Sequence, residues 1–200
     1  RIGFIQYLNF TTLTKGIELT SGTSFRFTYY DDNTPATERS DHQYLPGLFT
    51  QAAIEWSPQS RLLTGMRFEH HSKHGLIVSP RLNYKWSKNL NALRWSVGNG
   101  YRVVNLFTED HAALSGFREV VIDPEILPEQ SWNTSITYSK TFTEIPSMLM
   151  SLDISGFYSY FGNKIIPDYD SNPNEIRYLN LSEYAESYGV SISLNGTLQN

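Results

Sequence analysis

The sequence predicts an all-β chain, a segment of an antiparallel transmembrane β-barrel built of about nine strands. Three observations predict it. Apolar and polar residues alternate with period two along most of the chain, and helical periodicity is nearly absent. Charges inside the alternating stretches fall almost wholly on the polar set. The connections alternate between short and long, so every long one emerges on the same side.

The first strand is expected near Phe4 to Phe10 and has no clear parity. GIELTSGTSFRFTYYD at 16–31 sets Ile17, Leu19, Phe25, Phe27 and Tyr29 against Glu18, Thr20, Ser24, Arg26 and Thr28. At 47–56, Leu48, Ala52, Ile54 and Trp56 oppose Gln51 and Glu55. At 61–70, Leu62, Met66 and Phe68 oppose Arg61, Arg67 and Glu69. At 78–86, Leu82, Tyr84 and Trp86 oppose Arg81, Asn83 and Lys85. At 92–101, Leu93, Trp95 and Val97 oppose Arg94, Ser96 and Gly98. Trp132, Ile136, Tyr138 and Phe142 face away from Asn133, Ser135 and Thr137. Met148, Met150, Leu152, Ile154, Tyr158 and Tyr160 face away from Ser151, Asp153 and Ser155. The last strand runs through Tyr188, Val190, Ile192 and Leu194, and the misplaced charges, Lys140 and Glu186, lie near strand ends. Short connections are expected near 11–15, 57–60, 87–91 and 143–146, and longer polar ones at 32–44, 71–76, 102–130 and 162–177. Trp56, Trp86, Tyr84, Tyr101 and Trp132 near strand ends fit interfacial girdles. A sheet in lipid must close so that no backbone group is left unpaired.

Composition narrows the choices. A formal net charge of −4 over 200 residues gives no pull toward nucleic acid, and the absence of cysteine excludes a disulfide framework and a thiol nucleophile. Tyr, Phe, Ser, Asn and Thr are abundant, which is a strand and turn composition. A soluble β-sandwich such as a glycan-binding module would show the same parity, so it stands as an alternative. A smaller autonomous barrel, a porin or a rim-active hydrolase, is the other. The opening RIGFIQYLNF has no signal-peptide pattern and no initiating Met, and GTLQN does not look like an ending, so an internal piece of a longer protein is expected.

Several words go beyond periodicity. LRWSVGNGYRVVNLFTE at 93–109 closely resembles the barrel signature of TonB-dependent outer-membrane receptors, L-R-x-S-x-G-x-G-[FY]-R-x-x-N-L-F. SPRLNYKW at 79–86 looks like the strand before it, and LTGMRFE at 63–69 like the G-x-R-[YF]-[DE] strand. LPEQSWN at 127–133 is similar to L-K-P-E-x-S-x-N, with the Lys missing. The matches run in the family's order from about Gly47 to Asn133, and weaker similarity continues through SGFYSYFGNKI and YLNLSEYAESYGV. The resemblance implies a plugged barrel of roughly 22 strands, of which this chain covers a middle part. It implies a receptor that imports a ferric siderophore, haem, cobalamin, another metal chelate or a glycan. Its partners would be that ligand, outer-membrane lipid and the TonB–ExbB–ExbD complex, reached through a plug domain and TonB box N-terminal to the barrel. The whole of 1–200 is then one partial barrel domain in the bacterial outer membrane, with no resident cofactor.

Candidate site residues fall into two groups. Glu18, Arg26, Glu55, Arg67, Glu69, Arg81, Lys85, Arg94 and Asp153 lie on the polar, lumen-facing parity. Some are expected to contact the plug, with Arg67 and Arg81 suited to plug carboxylates; the alternative is mutual pairing across strands. Rim candidates for the ligand are Arg102, Glu109, Asp110, His111 and Arg118 in one long loop, and Asp168, Tyr169 and Asp170 in another. Asp168 and Asp170 form a D-x-D pair, but the glycine and terminal Glu of an EF-hand are absent.

FEHHSKHG at 68–75 holds His70, His71 and His74, three of the five histidines in the chain. Imidazole is the commonest metal-ligand side chain near neutral pH. The expected strand ends at His70, so the three fall in a solvated rim turn with Lys73, suited to a first contact with an incoming ligand and to no enclosed metal site. Enzyme chemistry is not expected: G-x-S-x-G, P-loop and H-E-x-x-H patterns are missing. His111 beside Asp110 is the one tempting pair, and neighbours on a strand point to opposite faces.

Overall fold

Strict alternation places a whole strand's apolar set on one face, so neighbouring strands must pair in a register that keeps the sets together. The computed structural model, which describes residues 1–30, 41–104, 118–143 and 148–198, does this with nine long strands in one antiparallel sheet. They are β1 (Ile2–Thr14), β2 (Ile17–Tyr30), β3 (Asp41–Ser57), β4 (Ser60–His71), β5 (Gly75–Lys88), β6 (Asn91–Arg102), β8 (Glu129–Phe142), β9 (Met148–Phe161) and β12 (Ala185–Leu198). Each pairs with the next of the nine along the chain, and β1 and β12 form the two open edges. At 12 to 17 residues they exceed the nine to eleven or so that cross a bilayer.

Leu62, Tyr84, Trp95 and Ile136 form one lateral row across β4, β5, β6 and β8, and Gly65, Arg81, Gly98 and Asn133 form another. The first row belongs to an apolar face, the second to a polar one. Glu18, Arg26, Glu55, Arg61, Arg67, Glu69, Arg81, Lys85, Arg94, Arg102, Glu129 and Asp153 all share the polar face by register. On the apolar face, Lys88 and Lys140 flank Asn91 at the turn end, and Glu186 pairs with Tyr160 at the loop end. Aromatic tips on this face find partners: Tyr138 donates to Asn91 at 2.6 Å and Trp95 to Thr134 at 3.0 Å.

β1 explains its own missing parity. Ile5 and Tyr7 pair with Phe25 and Thr23 on the apolar face, while Phe4, Leu8 and Phe10 pair with Arg26, Gly22 and Thr20 on the polar one. Both faces of this strand are apolar. Gly22 has to be glycine, because a Cβ there would lie 2.6 Å from the Phe49 ring and 2.3 Å from the Tyr7 carbonyl.

The turn end is tight. β1 and β2 join through Lys15 and Gly16, where φ is +85°, and β5 and β6 through Asn89 and Leu90, where Asn89 takes φ +52°. The first turn therefore sits later than expected, since β1 continues to Thr14 past a bulge. The expected connection at 143–146 lies mostly outside the described residues.

The loop end departs from expectation. β3 begins at Asp41, so the strand takes up part of the connection placed at 32–44. Stretches read as solvated loops supply three further strands, β7 (Glu119–Ile122), β10 (Ile165–Asp168) and β11 (Glu175–Asn180). These form a second sheet in the order β10-β11-β7, with β11 parallel to β7. Val120, Ile165, Ile176 and Tyr178 make its buried core, with Val104 and Ile126 packed against them. The connection expected at 162–177 accordingly extends until β12 starts at Ala185. Runs of four to six residues fall below what alternation can resolve, and a parallel pair between two separate loops leaves no local turn signal.

Replacing Ile176 by Ala in the intact protein is expected to cost the small sheet about 2 kcal/mol, roughly a thirtyfold rise in local opening. Hydrogen exchange should quicken in 175–180 while β8 and β9 keep their protection. Equal loss of protection in β8 and β9 would mean that the small sheet is not a separate unit.

Candidate functional site

Three groups of side chains stand out on the polar face and its loop-end rim. The first is a row at the turn end. Register places Glu55 beside Arg61, Arg61 beside Lys85, and Lys85 beside Arg94. Directly opposed like charges on a sheet repel. Arg61 reaches across to Glu18 at 3.4 Å, a pair exposed enough to contribute little. Lys85, Arg94 and Arg81 have no carboxylate within ion-pair distance among the described residues, and all three are exposed.

The second group is denser. Glu69 is buried to 8% exposure. Its Oε1 lies 3.0 Å from Arg67 Nε, an ion pair out of line for a hydrogen bond, and its Oε2 accepts from the Tyr101 hydroxyl at 3.0 Å. Arg67 also donates to Ser24 Oγ at 3.2 Å and lies over the Phe49 ring at 5.6 Å. Tyr101 reaches Glu69 over β5 because the β5–β6 ladder stops at Arg81 and Gly98. The next residue, Pro80, has no N–H to continue it.

The third group ties the rim together. Arg102 pairs with buried Glu129 at 3.3 Å and donates to the Ile165 carbonyl at 3.3 Å, while Glu129 accepts from the Ile165 N–H at 2.9 Å. Asn163 accepts from the Gln130 N–H at 2.9 Å and donates to the Pro128 carbonyl at 2.6 Å. Asn180 accepts from the Leu127 N–H at 2.7 Å and donates to the carbonyls of Leu127 and Asn163 at 3.0 Å. These side chains clamp the small sheet onto the ends of β6 and β8.

The histidine turn is tighter than a solvated one. β4 runs on to His71, so His70 and His71 point to opposite faces. His70 is exposed, whereas His71 is 4% exposed and stacks against His74 with ring centroids 4.9 Å apart. His71 Nδ1 accepts from the Lys73 N–H at 3.2 Å, and Ser72 exchanges hydrogen bonds with the Tyr44 backbone. Burial, then the neighbouring Lys73 ammonium, holds the His74 imidazole below its ordinary 6.5. No three metal-ligating groups converge anywhere among the described residues.

The other expected rim residues scatter. Arg118 donates to the Tyr169 carbonyl at 3.1 Å. Asp168 accepts from the N–H groups of Asp170 and Ser171, and the Ser171 side chain, then those backbone donors, hold its carboxyl below 3.8. It therefore shapes a turn. Tyr169 is exposed. Glu109, Asp110 and His111 lie outside the described residues. Asp153 accepts from Ser139 at 2.5 Å. Among the residues that sequence reasoning missed, Glu129 and Tyr101 stood inside LPEQSWN and GNGYR. Asn163 and Asn180 stood inside the weaker words SGFYSYFGNKI and YLNLSEYAESYGV, but their roles were hidden because their partners come from other segments.

The model of the family described as "TonB dependent receptor-like, beta-barrel" matches residues 3–200. No curated protein matches the sequence. The siderophore receptor PirA of Pseudomonas aeruginosa is similar at 20% identity and a TM-score of 0.64, covering 91% of this chain and 33% of that one. The ferric enterobactin receptor PfeA of the same organism aligns at 16% identity and a TM-score of 0.69, over 96% and 32%. The Serratia marcescens hemophore receptor HasR, solved with its hemophore HasA and heme, aligns at 12% identity and a TM-score of 0.74, over 98% and 39%. The chain thus spans about a third of each of these receptors. The open nine-stranded sheet has the fold of their barrels.

A histidine whose folded-state value is depressed binds fewer protons folded than unfolded, so its contribution to stability is lost as pH falls through the ordinary value. The turn at 72–74 is therefore expected to loosen as pH drops below 6.5. Protection of the Ser72 and His74 amides, taken relative to the intrinsic exchange rate at each pH from 8 to about 5, should fall in wild type and stay flat in His74→Gln.

Proposed function

The chain belongs to the TonB dependent receptor-like β-barrel family, and on that premise we propose that residues 1–200 are part of the barrel of an outer-membrane receptor. The receptor imports a scarce metal chelate, a ferric siderophore or haem, with energy from TonB and its ExbB–ExbD complex. It does no covalent chemistry.

One observation carries the reading. The charges of the strand interiors gather on one face of an open sheet, and the other face is apolar. An apolar face of tilted strands suits lipid, a polar face suits a filled lumen, and unpaired edges call for further barrel strands on both sides. Cations outnumber carboxylates on the polar face, and the Arg61, Lys85 and Arg94 row is self-repelling. Acidic side chains of a plug domain would relieve that repulsion. Glu18, Arg26, Glu55, Arg67, Glu69, Arg81, Lys85, Arg94 and Asp153 are accordingly assigned to the lumen side. The rim residues His71, His74, Arg102, Arg118, Asp168, Tyr169 and Asp170, with Glu109, Asp110 and His111, are assigned to the ligand vestibule, while His70 turns to the apolar face. Most of the described ones shape it rather than touch the ligand. The solved relatives are named for siderophores and heme, which makes iron-bearing ligands the first to test.

A strain lacking the gene should lose uptake of one radiolabelled iron chelate or haem and regain it with the intact gene; normal uptake of all of them would sink the assignment. A gene without a plug-like domain upstream of this region would sink it as well. In the intact receptor, Lys85→Glu with Arg94→Glu should cut energised uptake severalfold at an unchanged outer-membrane level. Full uptake would end the proposed plug contact.

A further inference from the structure

A recess of about 750 Å³ lies on the apolar face, near the loop end. Its size is that of a small-molecule site. Ile5 and Tyr7 of β1 wall one side, and Leu48, Phe68 and Leu76 wall the other. Register explains the hollow. Tyr7, Thr23, Leu48 and Phe68 form one lateral row, and the small Thr23 leaves a gap between large neighbours. In the next row Ile5 and Phe25 lead to Pro46, which has no N–H. The β3–β4 ladder accordingly starts only at Gly47 and Glu69, and the strands meet again where the Ser72 N–H donates to the Tyr44 carbonyl. The recess is thus built by the backbone as well as by side-chain size.

Its two ends differ in chemistry. Towards the middle of the strands the lining is hydrocarbon and aromatic. At the loop end His70 lines it, exposed and on this same face, and Lys73 stands in the adjoining turn. Glu69 also borders the recess, but Arg67 and Tyr101 engage its carboxylate. An apolar recess with an exposed imidazole at its mouth matches an amphiphile with an anionic head. We infer that this groove holds one acyl chain of a phosphate-bearing lipid from the surrounding leaflet, with its phosphate at His70. The inference rests on the membrane placement proposed above. A recess facing hydrocarbon would otherwise forfeit the dispersion contacts of its walls.

The intact receptor, extracted in mild detergent and depleted of free lipid, is the material for the test, and native mass spectrometry with phosphate and fatty-acid analysis is the readout. Wild type should retain one lipid per chain. Thr23→Trp, which fills the gap, should lower retention about tenfold, as expected when several methylene contacts are lost. His70→Ala should lower it less and should favour lipids without phosphate. Equal retention in wild type and Thr23→Trp would overturn the inference, as would a bare wild-type receptor or a co-purifying polypeptide displaced by Thr23→Trp. Heat-modifiable mobility of each variant is recorded alongside. Its loss in wild type would reject the barrel itself, whereas a heat-modifiable receptor without lipid would reject only the groove.

Discussion

Everything in this molecule depends on the backbone ladder. A continuous antiparallel pairing of nine strands holds each residue in register with its neighbours, so the face on which a side chain points is decided many strands away. One slipped residue would turn the Leu62, Tyr84, Trp95 and Ile136 row into the lumen and push Arg61, Lys85 and Arg94 towards lipid. That penalty makes the register unique. It also lets the sheet carry a run of neighbouring cations that an isolated hairpin would not tolerate.

Two of the ladders are cut short beside a proline, and each break has a use. Pro80 ends the β5–β6 pairing, and Tyr101 crosses the space to reach Glu69. Pro46 delays the β3–β4 pairing, and the recess on the apolar face opens beside it. The two breaks sit on the same stretch of the loop end, on either side of β4. Glu69 lies between them, bound on one side to Arg67 and on the other to Tyr101. The buried carboxylate thus joins strands at the place where backbone pairing no longer does so, which is a compensation the sheet needs before any ligand is considered.

The legibility of the sequence follows from range. Eight of the nine long strands were visible because alternation over many residues is a local signal, and the turn between β5 and β6 was visible because Asn89-Leu90 is a local device. β1 had no parity because Phe4, Leu8 and Phe10 apply the wrong chemistry to the polar face, a choice that only a neighbour absent from the strand itself explains. β7, β10 and β11 were invisible because each is too short to have a period, and their core is assembled from three separate segments. The histidines misled for a related reason. His70 and His71 are adjacent in sequence and therefore on opposite faces, while the partners that matter to His71 are His74 and the Lys73 N–H. The sites that remained illegible are those held by asparagine side chains reaching across loops.

The rim shows what such clamps imply for recognition. Arg102 and Glu129 direct hydrogen bonds onto the Ile165 backbone of the small sheet, and Asn163 and Asn180 onto backbone groups of Leu127, Pro128, Gln130 and Asn163 beside it. A polar group already paired at good geometry gains little from a ligand and loses its existing partner. These residues are therefore poor ligand contacts, although their types would suggest otherwise. Their contribution is preorganisation: a clamped sheet has already lost the conformational freedom that a mobile loop would lose on binding. On the proposed function, contact with the ligand falls to side chains that the clamp leaves exposed, and Tyr169, whose carbonyl accepts from Arg118, is one of them. An aromatic ring held by its backbone needs to order few bonds of its own, so a rim of that kind would recognise by shape and stacking before charge.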